Sequence, residues 1–228
     1  MKIAIHQPQY LPWLGYFDKM DRADVFVLLD DVQFKKNEWQ NRNKIRNADR
    51  WQWLTVPVLY EFGQKLNEVR INSRENWRDK HRKGLELNYS RAGYFDGYFP
   101  FFREVFGREW ELLADINIHC IEYLKEALGI KTELLKSSSL DIRTDKTQRL
   151  VDICKKLGAD TYLSGAGGAD YLDLEMFRKN GIKLEFQEYS HPEYRQMFEG
   201  FEPYMAVVDL LFCQGKKSLD IIREGRKQ

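Results

Sequence analysis

The 228 residues are 43% hydrophobic and 31% charged, which is ordinary for a chain that buries a sizeable core, while 14% aromatic with twelve Tyr and six Trp is high. Thirty-six Lys and Arg stand against 35 Asp and Glu, so a formal charge of +1 gives no global argument for nucleic acid or an anionic membrane, and any such argument must be local. No run approaches the roughly 18 apolar residues of a membrane span, and "MKIAIHQPQY" has no apolar signal core. We therefore expect a cytoplasmic protein. Cys120, Cys154 and Cys213 are odd in number and far apart, which argues against disulfides or a zinc knuckle and for small buried hydrophobes.

In chain order, "KIAIH" reads as a first strand running into a polar loop. Leu11, Leu14, Phe17 and Met20 then recur at helical spacing, with Pro12 in the first turn. "ADVFVLLDD" contains an unbroken apolar run suited to a strand covered on both faces, so the opening is a βαβ unit. "WQNRNKI", "WQWLTVPVL" and "NEVRI" predict a strand-rich segment at about 39–71. Residues 75–128 read as a helical insertion. Its middle, "FDGYFPFFREVF", is interrupted by Pro100, and its last helix ends at Gly129. Strands "KTELLKSS", "DTYLSG" and "IKLEFQEY" then alternate with helices "DKTQRLVDICKKLG" and "AGGADYLDLEMFRKNG", and "KKSLDIIREGRKQ" predicts a short surface helix that frays. The expected architecture is one α/β domain over residues 1–228, a mostly parallel sheet with flanking helices plus the helical insertion.

Three stretches carry chemistry. "HQPQYLPWLG" follows the first strand, where ligands of open α/β sheets sit and where a helix N-terminus offers free N–H groups. There His6 suits proton transfer or phosphate binding, and Gln7, Gln9 and Tyr10 offer directional hydrogen bonds. Gly15 permits a close approach by a ligand or another backbone. The second stretch, "LLDDVQFKKNEWQNRNKIR", places Asp30 and Asp31 at a strand end and follows them with Lys35, Lys36, Trp39, Arg42, Asn43, Lys44 and Arg46. This local positive patch suits a phosphate and a stacked ring, or single-stranded nucleic acid. Third, "LSGAGGADYL" sets Ser164, Gly165, Gly167, Gly168 and Asp170 after a strand, where backbone can close on a phosphate. It matches neither GxGxxG nor GxxxxGK[ST]. Each stretch also has a plain structural reading, as capped backbone, solvated loop or tight turn. Of the remaining histidines, His81 and His119 read as structural, and His191, held by Pro192, is a candidate to join the site. No HxH, HExxH or CxxC spacing marks a metal site.

Through "HQPQYLPWLGYFDKM", "DVFVLLDDVQFKKNEWQNRN", "WLTVPV" and "LSGAGGADYL" the chain resembles the WbqC-like family of bacterial proteins, from Met1 to about residue 213. The resemblance implies surface-polysaccharide or O-antigen synthesis and a nucleotide-linked or lipid-linked sugar. A more distant likeness, of the first strand, its His loop and the following helix, is to nucleotidylyltransferases and pantothenate synthetases. Their HxGH motif holds ATP phosphates, whereas this chain has Gly15-Tyr16 where Gly-His is expected, and it lacks a KMSKS-like lysine motif.

The leading expectation is a transferase adding an acyl or aminoacyl group to an activated amino sugar. Its catalytic groups would be His6, Asp30, Asp31 and His191, and its partner a small nucleotide-linked sugar. The cofactor is left open, with ATP and Mg as candidates, and the alternative reaction is that of an ATP-dependent ligase or nucleotidyltransferase. A nucleic-acid-binding or scaffold protein is the non-enzymatic alternative, disfavoured by the neutral net charge.

Overall fold

The computed structural model describes residues 1–227. Ile3, Ala4 and Ile5 put small and branched apolar groups on both sides of one strand, as a strand covered by helices on both faces requires. That strand is β1 (Lys2–His6), and α1 (Leu14–Asp21) carries the chain back to the fully buried β2 (Val25–Leu28). The chain then leaves the sheet for an antiparallel hairpin, β3 (Arg42–Asn47) and β4 (Arg50–Thr55), and a shorter pair, β5 (Val58–Leu59) and β6 (Arg70–Ile71). Three helices follow: α2 (Trp77–Tyr89), α3 (Phe95–Gly107) and α4 (Leu113–Leu128). The sheet resumes with β7 (Glu133–Lys136), α5 (Lys146–Leu157), β8 (Thr161–Ser164), α6 (Leu174–Lys179) and β9 (Lys183–Phe186). Helices α7 (Val207–Gln214) and α8 (Ser218–Glu224) come last.

The five-stranded sheet has the order β7-β2-β1-β8-β9, and every neighbouring pair is parallel. From β1 the strands first build outward through β2 and β7, then the chain crosses to the other side for β8 and β9. Loops after β1 and β8 consequently diverge, leaving the crevice that such sheets form at a topological switch point. Side chains alternate as the pleat demands. Ile3, Ile5, Val25, Val27 and Tyr162 pack with Val151, Ile153 and Phe177 of α5 and α6 on one face. Ala4, Phe26, Leu28 and Leu163 pack with Phe17, Ile121 and Leu211 of α1, α4 and α7 on the other.

Local reading and structure part at four places. Pro12 lies outside α1, because Leu11 turns into the left-handed region (φ +44°) and the helix starts after Trp13. Helix α3 runs through Pro100, which lies in its second turn, where a missing N–H forfeits one hydrogen bond. The glycine loop opens a 3-10 turn over Ala166–Asp170, and α6 begins only after Asp173, whose side chain accepts from the Met176 N–H at 3.1 Å. The last helix is tied down: Arg226 Nε reaches Asp18 Oδ1 at 2.6 Å, and Arg223 and Arg226 both bind Asp21. Asp18 is fully buried, so these contacts clamp α8 to α1. The final residue of the tail, 228, lies outside the described residues.

The loop between β1 and α1 is held by remote parts of the chain. Tyr10 N–H donates to the Trp39 carbonyl at 2.9 Å, and Val207 N–H to that of Pro12 at 2.9 Å. Asn117 Nδ2 donates to the Pro8 carbonyl at 3.3 Å, and Asn43 Nδ2 to that of Leu11 at 2.6 Å. Asn43 is completely buried, so its amide is the fixed partner that offsets the strain at Leu11. Asn43→Ala leaves a buried carbonyl unsatisfied and is expected to lower stability by about 2 kcal/mol in urea denaturation. A loss below about 0.5 kcal/mol would show that the loop holds its shape without this amide.

Candidate functional site

A cavity of about 710 Å³ opens beyond the carboxyl ends of β1 and β8, at the switch point. Lys19, Lys35, Lys146 and Arg149 line it, and no Asp or Glu does. The first turn of α5 forms one wall through Lys146, Thr147 and Arg149, adding the positive end of its dipole. Lys146 sits at φ +49°, an uncommon conformation for a residue with a Cβ.

His6 ends β1 in the cavity wall. Its Nδ1 lies 3.1 Å from the Gln7 carbonyl, which assigns the proton to Nδ1 and leaves Nε2 as an acceptor. Burial, with the charge of Lys19, pushes its pKa down to about 3, so the ring is neutral at physiological pH. Lys19 projects from α1 beside it. Its side chain is buried, donates to the Ile5 carbonyl at 3.2 Å and has no carboxylate partner among the described residues. Burial brings this ammonium down to about 7.

Arg149 is oriented from behind. Asp31 binds its Nη2 at 2.5 Å, and its buried Nε has no partner. Burial would raise the Asp31 pKa, but hydrogen bonds from Ser137 and Arg149 outweigh it and hold the carboxyl below its usual range. Asp30 accepts from Ser138 N at 3.0 Å, Ser138 Oγ at 2.7 Å and Ser137 Oγ at 3.1 Å. Both carboxylates thus join the loop after β2 to the loop after β7, and neither lines the cavity. Ser164, Gly165, Gly167 and Gly168 do line it. A Cβ on Gly168 would stand 2.0 Å from Ser164 Oγ, so the glycine lets this loop close on the strand end. Gln7 is fixed by Gln40 Nε2 at 2.7 Å.

The structure brings together His6, Gln7, Lys35, Ser164, Gly165, Gly167 and Gly168 and separates the other candidates. Gln9, Tyr10 and Asn43 are buried behind the loop, with the Tyr10 hydroxyl 2.8 Å from His81 Nδ1. Lys36 is exposed over the Tyr60 ring at 5.5 Å, and Arg42 lies 4.2 Å over Trp53, which also meets Trp39, on the outer face of β3–β4. Asp170 is exposed outside the cavity. Gly15 lines a smaller cavity on the other side of His6, and His191 stacks behind Trp13 at 6.3 Å. Lys19, Lys146 and Arg149 have no motif to announce them. The one available signal was a lysine at position 19, three after Tyr16 and one before Met20, on an otherwise apolar helix face. Among the described residues, no three His, Cys, Asp or Glu side chains gather to hold a metal ion, and no helix is long and apolar enough to cross a membrane.

The model of the WbqC-like protein family matches residues 7–221, a span that includes every cavity residue except Ile5 and His6. A Mycobacterium tuberculosis protein, uncharacterized protein Rv1507c, is 34% identical over 230 residues and covers 99% of each chain. No solved structure matches.

Lys19 carries a stability signature. Its folded pKa, about 7, lies below the ordinary 10.5, so between these values the unfolded chain binds the extra proton and stability rises with pH. Lys19→Met is therefore expected to stabilise the protein at pH 7 by at least about 1 kcal/mol, roughly 3 °C in Tm, with the gain shrinking toward pH 10.5. Thermal melts across that range check this, and a destabilised variant would refute the uncompensated charge.

Proposed function

The chain belongs to the WbqC-like protein family, and from the charge of its cavity we propose that it is a cytoplasmic group transferase acting on a nucleotide-linked amino sugar in surface-polysaccharide synthesis. The observation that carries the reading is a 710 Å³ space lined by four cations, of which only Arg149 has a carboxylate behind it. A diphosphate is the complementary occupant. Lys35, Lys146 and Arg149 neutralise it, while backbone from Gly165 to Gly168 closes on it. The acyl or aminoacyl group goes to the sugar amine: the amine nitrogen attacks the donor's carbonyl carbon, a C–N bond forms, and the bond to the leaving group breaks.

Lys19 takes the proton released by the amine and returns it to the leaving group, since a group near pKa 7 exchanges protons readily at neutral pH. His6, with its pKa near 3, is too weak a base for that role. It serves instead as the Nε2 acceptor that orients the amine. Asp31 positions Arg149 rather than touching substrate. The strand order and glycine loop also suit an ATP-dependent ligase or nucleotidyltransferase, so the two reactions must be separated by experiment.

Calorimetric titration with UDP-glucosamine, and separately with ATP·Mg, distinguishes them. We expect the sugar nucleotide to bind without ATP, with Arg149→Ala weakening it at least about tenfold, a loss of roughly 1.4 kcal/mol. With UDP-glucose, which has no group titrating near neutrality, affinity should fall as pH rises through about 7, because free Lys19 loses its charge, and Lys19→Met should abolish that dependence. His6→Ala should remove turnover and leave the fold intact. Binding of ATP·Mg alone would transfer the assignment to the ligase.

A further inference from the structure

On the far side of His6 and Lys19 lies a second chamber of about 260 Å³, which shares those two residues and Gly165 and Gly167 with the larger cavity. Its chemistry differs. Trp13, Tyr16, Gln187 and Tyr189 supply its walls, Lys19 is its only cation, and no carboxylate lines it. The Tyr16 hydroxyl is buried with no hydrogen-bond partner, on a side chain only 2% exposed, and the Tyr189 hydroxyl is likewise orphaned. Burial raises the pKa of both phenols, so each stays a neutral donor. Gln187 spends its Nε2 on the Gly15 carbonyl at 2.8 Å and Asp18 Oδ2 at 2.7 Å, leaving its Oε1 as an acceptor.

Trp13 completes the chamber as an aromatic wall. A Cβ on Gly15 would stand 2.2 to 2.6 Å from the Trp13 ring, so only glycine lets the indole lie flat against α1. Behind it, His191 stacks at an interplanar angle of 20° and Tyr189 packs edge-on at 5.8 Å, which fixes the ring. The volume is below the roughly 300–1,000 Å³ of pockets that take whole drug-sized ligands. Two unfilled donors, one acceptor, an aromatic wall and no carboxylate describe a site for one oxygen-bearing ring without a fixed charge.

We propose that this chamber holds the acceptor ring, a single pyranose whose hydroxyl oxygens accept from Tyr16 and Tyr189 and whose apolar edge packs against Trp13. The two chambers then form one bent site, with diphosphate on the cationic side and the ring on the aromatic side, and the reacting amine at His6 and Lys19. This rests on the transferase reading of the larger cavity.

Calorimetry with UDP and with UDP-glucosamine separates the two claims. The expected result is that the sugar adds about tenfold or more to the affinity of UDP, and that Tyr16→Phe and Tyr189→Phe each remove most of that increment while UDP affinity holds. Thermal melts of Tyr16→Phe should match the parent, because the hydroxyl it deletes has no partner in the protein. If UDP and UDP-glucosamine bind equally, or if both phenylalanine variants weaken them alike, the ring pocket is overturned and the diphosphate site stands. If neither binds, both assignments fall together.

Discussion

Lys19 donates to the Ile5 carbonyl, one residue before β1 ends, from a position almost wholly closed to water. A lysine in such a place is costly unless a carboxylate accompanies it, and none does. Much of the surrounding crevice follows from that single unpaired ammonium. Its field helps keep His6 neutral, its position defines the boundary between two chambers, and its own depressed pKa leaves it able to exist in either protonation state near neutrality. A site built around a carboxylate-paired lysine would hold a permanent charge and offer no proton acceptor.

The loop that faces this lysine has little local reason for its shape. Its backbone groups are claimed by Trp39, Asn43, Asn117 and Val207, from the outer hairpin and the segment leading into it, the fourth helix and the seventh. The excursion between β2 and β7 is therefore part of the apparatus that shapes the crevice, although its own outer face lies elsewhere. Rigidity of this kind lowers the entropic cost of placing a catalytic group, because the loop is already in position before a ligand arrives.

How much of this was legible in the amino-acid order depends on the range of the forces involved. The parallel α/β sheet was readable, because unbroken apolar runs such as Val25 to Leu28 and alternating strands and helices are local records of burial. The glycine loop after β8 was readable as a tight turn, since its backbone demand is met within four residues, but not as separate from the helix that follows Asp173. Asp30 and Asp31 misdirected the reading: two carboxylates at a strand end suggest catalysis, yet their partners, Ser137, Ser138 and Arg149, lie more than a hundred residues away and turn them to structural use. Tyr10 was similarly claimed by His81 at a distance of 71 residues in sequence. Arg149 and Lys146 were invisible because a helix N-terminus far from the first loop reveals its charge only when the sheet order brings it beside β1.

The arginine clamp on α1 has an electrical meaning beyond attachment. Asp18 and Asp21 flank Lys19 on its own helix, but residues one and two positions apart face different ways, so neither carboxylate is its partner. Arg226 takes Asp18, and Arg223 and Arg226 together take Asp21, from more than 200 residues downstream. These pairings give both carboxylates partners of their own and leave the lysine with none among the described residues. One short helix thus carries two carboxylates and a lysine that never pair, because residues at the far end of the chain claim both acids.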